Sequence, residues 1–245
     1  MRKLVADGEM QLEIAQLKEL RSENGVLKTV AVKGETGEYD IECDTLLAFY
    51  GLTMKLGPVA NFGINLDRNL IPVDTEKFET DVDGIFAIGD IIGGPWLAHK
   101  AMHDALNCVN YITNNKTSHK PLEHHIPGCI YSLPQIATVG YTEQQLIDSN
   151  TPYKKGNFPF LANGKSQTMS NSHGFVKTLF NSETGEFLGA HLIGPDVTEM
   201  ISTFGLAITS ESTEDEFINT IFAHPTLSES IHESVLSAFD KPIHF

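Results

Sequence analysis

The sequence predicts an α/β region followed by a complete α+β domain, on three observations. Alternating strand patterns separated by turns fill most of the first fifty residues. The continuous apolar run 45–50 then ends at Gly51, which is typical of a strand buried on both faces of a sheet. Beyond residue 120, strand and helix patterns follow one another up to a final amphipathic helix. These patterns indicate two parts of different architecture.

The first part begins with a meander of three strands joined by turns at Asn24-Gly25 and Thr36-Gly37. A second apolar run, Ile85–Ile88, predicts a buried strand that ends at Gly89 and Asp90. No G-x-G-x-x-G turn precedes either apolar run, although a dinucleotide domain needs that turn to hold a pyrophosphate. We therefore expect only the latter part of such a domain, in a chain that begins within it. The expected meander strands are Leu17–Leu20, Val26–Lys33 and Tyr39–Cys43.

A helix is expected from Leu97 to about Ile112, and its buried side is expected to carry apolar residues at helical spacing. These are Leu97, Ala101, Ala105, Leu106 and Val109. The polar stretch after Asn114 predicts a domain boundary near residue 120, with His124 and His125 as solvated linker residues.

The second part is predicted as four strands and three helices. A turn at Thr184-Gly185 joins the last two strands as a hairpin. The expected strands are Cys129–Tyr131, Ile136–Val139, Phe175–Phe180 and Phe187–Ile193, and the expected helices are Thr142–Asp148, Thr198–Thr209 and Thr226–Phe239.

Charge and hydropathy exclude several classes of function. The 245 residues carry a formal charge of −15 and no lysine-rich run, so nucleic acid and anionic membranes are not expected partners. No apolar run approaches the roughly 20 residues of a membrane span, and the polar start does not suit a signal peptide. A cytoplasmic location is expected.

The cysteines and histidines suggest neither a redox centre nor a metal centre. Cys43, Cys108 and Cys129 lie far apart and form no C-x-x-C or C-x4-C pair, so we expect reduced thiols. His99 and His103 lie one helical turn apart, but they lack the glutamate of an H-E-x-x-H motif and a third ligand. No metal site is expected.

The start of the last helix allows two interpretations. Thr226 and Glu229 have the spacing of a capping box, which would only begin the helix. Alternatively, Glu229 accepts the imidazole N–H of His224, fixes its tautomer and makes it a better base. The two roles are compatible.

The string His224-Pro-Thr-Leu-Ser-Glu229 resembles the C-terminal signature of the flavin-dependent disulfide oxidoreductases that include dihydrolipoamide dehydrogenase and glutathione reductase. The resemblance implies that His224 is the acid/base for a thiol substrate and that Glu229 orients it. It also implies a homodimer in which the histidine of one subunit serves the disulfide and flavin of the other.

Gly84-Ile-Phe-Ala-Ile-Gly-Asp90 resembles the second flavin-binding motif of the same proteins. The resemblance implies that Gly89 and Asp90 contact FAD, with Asp90 on a ribityl or ribose hydroxyl. The stretch Trp96-Leu97-Ala98-His99, which opens the helix, would then lie against the isoalloxazine ring. Trp96 departs from the small or flexible residue expected there.

Several motifs after residue 126 resemble the interface domain of dihydrolipoamide dehydrogenase. They include Pro127–Gly140, Asn163–Lys165, Leu188–Pro195 and Glu199–Ile201, in the order of that domain. The implied organisation is a remnant of an NAD(P)H-binding domain at 1–50, the returning part of an FAD-binding domain at 51–119 and an interface domain at 120–245. The implied fold is thus part of a two-dinucleotide-binding-domain flavoprotein followed by a complete dimerisation domain.

The implied reaction is the oxidation of dihydrolipoamide by NAD, with FAD as the second cofactor. The implied partners are the dihydrolipoyl groups of 2-oxo acid dehydrogenase complexes. This chain lacks the redox disulfide and the glycine-rich loops, so we expect it to be inactive alone.

Two other interpretations of the sequence remain open. Residues 1–90, notably Asp44–Leu47 and Gly51–Pro58, resemble thioredoxin-reductase-like ferredoxin:NADP reductases, which suggests a composite sequence or a flavoprotein of that kind. Alternatively, the chain is a non-catalytic homodimerisation module.

Overall fold

The computed structural model describes residues 14–49, 51, 53–114 and 123–244. It divides the chain into two compact units, one up to Lys55 and one from Leu56 onward. The predicted boundary near residue 120 lies outside the described residues. No helix in the described part of the chain has the length and apolar content that crossing a membrane requires.

The first unit is an antiparallel sheet of three strands, β1 (Gln16–Glu23), β2 (Val26–Gly34) and β3 (Gly37–Glu42), which confirms the predicted meander. The β1–β2 turn has positive φ at Asn24 (51°) and Gly25 (76°), the conformation that an Asn-Gly hairpin favours. The small core consists of Val30, Ala31 and Val32 in the central strand.

The predicted buried strand at 45–50 is not present in the described part of this unit. Residues 45–49 join no sheet, and Leu47 and Phe49 are 74% and 89% exposed; Tyr50 lies outside the described residues. An apolar run becomes a buried strand only where neighbouring strands supply hydrogen bonds and cover its faces. Among the described residues of this unit, the three-stranded meander supplies neither.

The second unit opens with loops, and the predicted strand Ile85–Ile88 is reduced to a single bridge between Phe86 and Glu79. A 3₁₀ turn, Gly89–Ile92, follows directly. The strand prediction was therefore wrong, for the same reason as at 45–49: no described neighbouring strand continues the pairing.

Helix α1 (Ala98–Ile112) confirms the predicted helix but not its buried side. Leu106 and Val109 are 62% and 57% exposed, whereas Asp104, Asn107 and Cys108 are buried. The apolar stripe has no covering element among the described residues, and the helix instead turns its polar side toward the 3₁₀ turn at Gly89.

The remainder of this unit is a five-stranded antiparallel sheet in the order β4-β5-β8-β7-β6, with helices on both faces. Helices α2 and α4 and the hairpin confirm their predictions; β6, α3 and α5 had not been predicted. The strands are β4 (Gly128–Ile130), β5 (Gln135–Gly140), β6 (Tyr153–Pro159), β7 (Phe175–Asn181) and β8 (Phe187–Gly194). The helices are α2 (Glu143–Asp148), α3 (Gly164–Thr168), α4 (Val197–Thr209), α5 (Glu214–Asn219) and α6 (Glu229–Ala238).

The main core lies between the sheet and helices α4 and α6. Phe180 of β7 makes edge-on ring contacts with Phe187, Phe217 and Phe239, an arrangement that aromatic rings favour. Helix α6 contributes Ile231 and Val235, both fully buried, as its four-residue spacing predicts. Helix α6 is therefore held firmly against β6 and β7.

Gly156 of β6 lets the backbone of α6 approach the sheet. A Cβ added there would overlap the carbonyl oxygen of Ser234, whose hydroxyl lies 3.0 Å from that of Thr178 on β7. The absence of a side chain at this position thus sets how closely α6 packs.

We expect Gly156→Ala to destabilise the protein by about 2 kcal/mol or more, since overpacking a rigid contact costs roughly 1–3 kcal/mol. Urea denaturation should show the loss as a lower midpoint. The control is Gly164→Ala, because an added Cβ there meets no atom within 4 Å. Equal midpoints for the two variants would contradict this account of the α6–β6 contact.

Candidate functional site

The turn before α6 brings His224 and Glu229 together. Nδ1 of His224 lies 2.9 Å from Oε1 of Glu229, and the peptide bond between His224 and Pro225 is cis. The side chain of His224 is 77% exposed and that of Glu229 is 30% exposed. The imidazole thus faces outward from a carboxylate anchored in the first turn of a buried helix.

The second oxygen of Glu229 holds the backbone of the same turn. Oε2 accepts the N–H of Thr226 at 2.9 Å, which is one half of the predicted capping box. The other half is not formed among the described residues: the helix begins at Glu229 after Ser228, and the hydroxyl of Thr226 donates to the carbonyl of Ala223 at 2.7 Å. Glu229 therefore positions both the backbone before the helix and the imidazole of His224.

Asn163 supports this turn from a distant part of the chain. Its buried side chain donates from Nδ2 to the carbonyl of Thr226 at 3.0 Å and accepts the N–H of Ser166 at 2.9 Å. No local sequence pattern indicates this role for Asn163, because the turn that it supports lies 63 residues later in the chain.

The electrostatics of the pair favour an ionised Glu229. Partial burial raises the pKa of this carboxyl group, but the N–H of Thr226 and the ring of His224 outweigh it, so the pKa lies below its usual value. A carboxylate that accepts the Nδ1 proton leaves the lone pair on Nε2 of the imidazole. Nε2 of His224 has no hydrogen-bond partner in the described part of the chain, so it is free to take or give a proton.

Gly89 and Asp90 form a second cluster at the 3₁₀ turn before α1. Gly89 is buried at φ 75°, and a Cβ there would lie 3.2 Å from the Cβ of Ala101. Its N–H donates to Oδ2 of Asp104 at 3.2 Å, while Asp90 next to it is exposed. The turn therefore holds the backbone against α1 and leaves the Asp90 carboxylate accessible.

The start of α1 lies next in the chain. Leu97 is the N-cap and offers no side-chain hydrogen bond, so the first-turn N–H groups have no side-chain cap. Trp96 is 43% exposed, and Nε2 of His99 lies 2.8 Å from the carbonyl of Pro127. The His99 side chain thus links α1 to the segment before β4.

A cleft of about 870 Å³ opens beside this helix start. Its lining includes His99, Lys100 and His103 of α1 together with Glu123 and His125. Among the described residues, no group of three or more His, Cys, Asp or Glu side chains is placed to hold a metal ion.

The expectation that His124 and His125 are solvated linker residues was wrong. Both are half-buried in a 3₁₀ turn, and the ring of His124 stacks on Tyr141 with centroids 4.3 Å apart. Burial lowers the pKa of both imidazoles.

Lys100 and Asp104 form an ion pair that the sequence analysis missed. Nζ lies 2.6 Å from Oδ2 of Asp104, and the two side chains are only 12% and 11% exposed. Their i,i+4 spacing was the available signal. Because Asp104 also accepts the Gly89 N–H, this pair holds the turn that carries Asp90.

The structure thus assembles the predicted site residues into two groups. His224 is joined to Glu229, and Gly89, Asp90 and 96–99 lie around the start of α1. Among the described residues, no hydrogen bond or shared cavity links the two groups.

Two family models match the chain. The pyridine nucleotide-disulphide oxidoreductase model matches residues 9–105, and the dimerisation-domain model of the same family matches residues 126–235. The chain belongs to the pyridine nucleotide-disulphide oxidoreductase family. Proteins that are similar to the chain include dihydrolipoyl dehydrogenases.

Curated relatives show the same affiliation. The chain is 46% identical over 200 residues to the dihydrolipoyl dehydrogenase of Zymomonas mobilis, covering 78% of this chain and 43% of that protein. It is 36% identical over 230 residues to the mitochondrial enzyme of Pisum sativum, covering 91% of this chain and 44% of that protein. The chain therefore spans less than half the length of these relatives.

The alignment with the Pisum sativum enzyme covers most of the chain. Whether the sequence is composite, as the resemblance of residues 1–90 to ferredoxin:NADP reductases suggested, stays a prediction.

Solved structures share the fold. LpdA from Mycobacterium tuberculosis matches 96% of this chain and 50% of its own, with a TM-score of 0.81 at 22% identity. The HOCl-induced flavoprotein disulfide reductase RclA from Escherichia coli matches 90% of this chain and 50% of its own, with a TM-score of 0.78 at 24% identity. These matches confirm the predicted fold class, a partial dinucleotide-binding fold with a dimerisation domain.

We expect Lys100→Met to lower the free energy of unfolding by about 3 kcal/mol, because it leaves the nearly buried Asp104 carboxylate unpaired. Replacing both partners, Lys100→Met with Asp104→Asn, should restore part of the loss, because the amide oxygen carries no charge and can still accept the N–H of Gly89. Urea denaturation measures both, and Lys77→Met, at an exposed lysine in the same unit, is the control. A double variant less stable than the single one would contradict the pairing argument.

Proposed function

We propose that the chain supplies the acid/base histidine and the dimer interface of a dihydrolipoyl dehydrogenase, which oxidises dihydrolipoamide with NAD. The observation that carries the proposal is the hydrogen bond between Nδ1 of His224 and Oε1 of Glu229, within a sequence signature typical of such enzymes. The similarity to curated dihydrolipoyl dehydrogenases supports the choice of substrate.

In the proposed mechanism, Nε2 of His224 takes the proton of the substrate thiol and releases it to solvent after the thiol has been oxidised. Glu229 accepts the Nδ1 proton throughout, so it fixes the tautomer and stabilises the imidazolium that forms. The N–H of Thr226 keeps the carboxylate in place, and Asn163 keeps Thr226 in place. A positioned base of this kind contributes roughly 10²- to 10⁴-fold to rate.

The residues of the second cluster fit a flavin. Gly89 allows a close backbone approach, the exposed Asp90 would hold a ribityl or ribose hydroxyl, and the uncapped start of α1 at Leu97–His99 favours negative charge. Trp96 would lie beside the ring. FAD, when bound beside the redox disulfide of the completed enzyme, would carry the electrons of the substrate thiols on to NAD.

The proposed partners are a second copy of this chain and the dihydrolipoyl groups of 2-oxo acid dehydrogenase complexes. The dimerisation-domain match supports the homodimer. We keep the proposed domain limits of 1–50, 51–119 and 120–245. The cytoplasmic location also stays a prediction, since the similar enzymes include one named mitochondrial.

A non-catalytic homodimerisation module is the second candidate. Its supporting observation is that the three cysteines are unpaired, so this chain has no disulfide to exchange electrons with a thiol. The two candidates share the dimer and differ in the role of His224.

We expect the chain to sediment as a homodimer at micromolar concentration, since stable interfaces of this type bury about 2,000 Å² or more. Ile221, three residues before His224, is 97% exposed, and a paired surface would cover such an apolar side chain. Ile221→Glu should therefore weaken the dimer. Leu47→Glu, at an exposed leucine of the first unit, should not. A monomeric wild-type chain would refute the proposal.

We expect His224→Gln to slow thiol oxidation by about 10²-fold or more in a dimer completed with an N-terminal half from a related enzyme. Transfer from NADH to a dye should change little, because that reaction bypasses the thiol. His232→Gln is the matched control, because the hydrogen bond described for this α6 histidine joins its Nε2 to the carbonyl of Ile218 at 3.2 Å, away from His224 and Glu229. Equal loss of both activities would make His224 structural and favour the dimerisation module.

A further inference from the structure

The turn that carries His224 is tied to a distant part of the chain through the carbonyl of Thr226. Two hydrogen bonds described for Thr226 stay within the turn and its helix: the N–H donates to Oε2 of Glu229, and the hydroxyl donates to the carbonyl of Ala223. The carbonyl, in contrast, accepts Nδ2 of Asn163, which lies 63 residues earlier. Both peptide units that flank Thr226 are therefore fixed, one by Glu229 and one by Asn163.

The Asn163 amide can meet its two partners in only one orientation. Nδ2 donates to the Thr226 carbonyl at 3.0 Å, and Oδ1 accepts the N–H of Ser166 at 2.9 Å. A carbonyl has no proton to give and a backbone N–H cannot accept one, so a flipped amide would present the wrong atom to each partner. Asn163 is 4% exposed, so bulk water does not compete for either atom.

Ser166 locks the corner from which this amide extends. Its N–H binds the Asn163 side chain, and its hydroxyl donates to the carbonyl of Phe160 and lies 2.9 Å from the carbonyl of Asn163. Ser166 and Phe160 are both fully buried, and Phe160 belongs to the main core. The corner between the 3₁₀ turn Phe160–Ala162 and α3 therefore rests on the core and aims Asn163 at the turn before α6.

The first turn of α6 supplies no hydrogen bond to the Thr226 carbonyl among the described residues. A serine hydroxyl in a helix can donate to the carbonyl four residues earlier, which for Ser230 is that of Thr226. The hydroxyl of Ser230 is instead buried without a hydrogen-bond partner in the described part of the chain, and its N–H donates to the carbonyl of Leu227. Asn163 thus holds this carbonyl from outside the helix.

We propose that Ser166 and Asn163 are positioning residues of the acid/base site, and that the site requires an amide at position 163. Ser166 orients the amide, the amide fixes the carbonyl side of Thr226, and the N–H of Thr226 holds the carboxylate that orients the imidazole. The four hydrogen bonds along this path are 2.9 to 3.0 Å long. The catalytic meaning of the path rests on the function proposed for His224, but the orientation of the imidazole is testable without it.

Asn163→Asp is the informative substitution, because it keeps the shape of the side chain and replaces a donor by an acceptor. A carboxylate oxygen would face the Thr226 carbonyl, and the two acceptors would repel each other. Burial raises the pKa of a carboxyl group, so a moderate fall in pH returns a proton that can be donated to that carbonyl. The defect of this variant should therefore shrink as the pH falls.

Two further variants separate the path from its surroundings. Ser166→Ala removes the hydroxyl that locks the corner and keeps the N–H that orients the amide, so it is a milder change. Ser230→Ala is the matched control, because it removes a buried hydroxyl without a described partner from the same helical turn. Asn163→Ala, which brings no charge into the corner, replaces the aspartate variant if that variant does not fold.

The tautomer of His224 reports its orientation on the chain alone. Glu229 selects the tautomer with the proton on Nδ1, whereas a free imidazole in water favours the proton on Nε2. Nitrogen-15 NMR of protein labelled at histidine distinguishes the two, and the resonances of His224 are those lost in His224→Gln. The spectra are recorded above about pH 8, where an ordinary imidazole is neutral.

We expect the wild-type chain and Ser230→Ala to show the Nδ1–H tautomer of His224. Asn163→Asp should shift the population toward the Nε2–H tautomer, and Ser166→Ala should give a smaller shift. In the completed dimer, Asn163→Asp should lower kcat for thiol oxidation by about tenfold with little change in KM, a part of the roughly 10²- to 10⁴-fold that a positioned base contributes. The ratio of variant to wild-type kcat should recover as the pH falls.

An unaltered tautomer in the position-163 variant would overturn the proposal, and an unaltered tautomer in Ser166→Ala would overturn the part assigned to Ser166. An equal shift in Ser230→Ala would also overturn it, because the helix start would then be loosened without regard to the path. A shifted tautomer combined with normal thiol oxidation in His224→Gln would support the path and contradict the proposed function, so the two failures are distinguishable.

Discussion

The carboxylate of Glu229 is the constraint on which the candidate site depends. One oxygen holds the Thr226 N–H and the other holds the His224 ring, so the same group begins α6 and orients the imidazole. A capping role and a catalytic role therefore do not compete at this residue. The geometry of the exposed histidine is set by a helix whose other turns are buried.

The precision of that geometry comes from the core beneath the helix. Ile231 and Val235 are fully buried, and the backbone of α6 approaches β6 at Gly156. The hydroxyls of Ser234 and Thr178 add a hydrogen bond between the helix and β7. Because close-packed protein interiors move little, the imidazole beside the first turn of α6 is held in place without being buried itself. Asn163 extends the same support to the backbone of Thr226.

Segments outside the five-stranded sheet are covered less completely by neighbouring elements. The apolar run at 45–49 and the outer stripe of α1 are exposed, although their sequences are typical of buried segments. The chain spans less than half the length of its curated relatives. Here the Gly89 turn is held instead by the nearly buried Lys100–Asp104 pair.

The sequence by itself determined the elements whose signals are local. The Asn24-Gly25 hairpin, the α2 capping box and the four-residue apolar spacing of α6 each specify a conformation within a few residues, and each is present. The approach of His224 to Glu229 was also predictable, because the two residues lie only five positions apart. Tertiary structure decided whether an apolar run is covered, as at 45–49 and Leu106, since burial depends on neighbours that the run does not encode. It also decided the support of the site by Asn163, because a contact between residues 63 positions apart arises only when the sheet and helices are packed together.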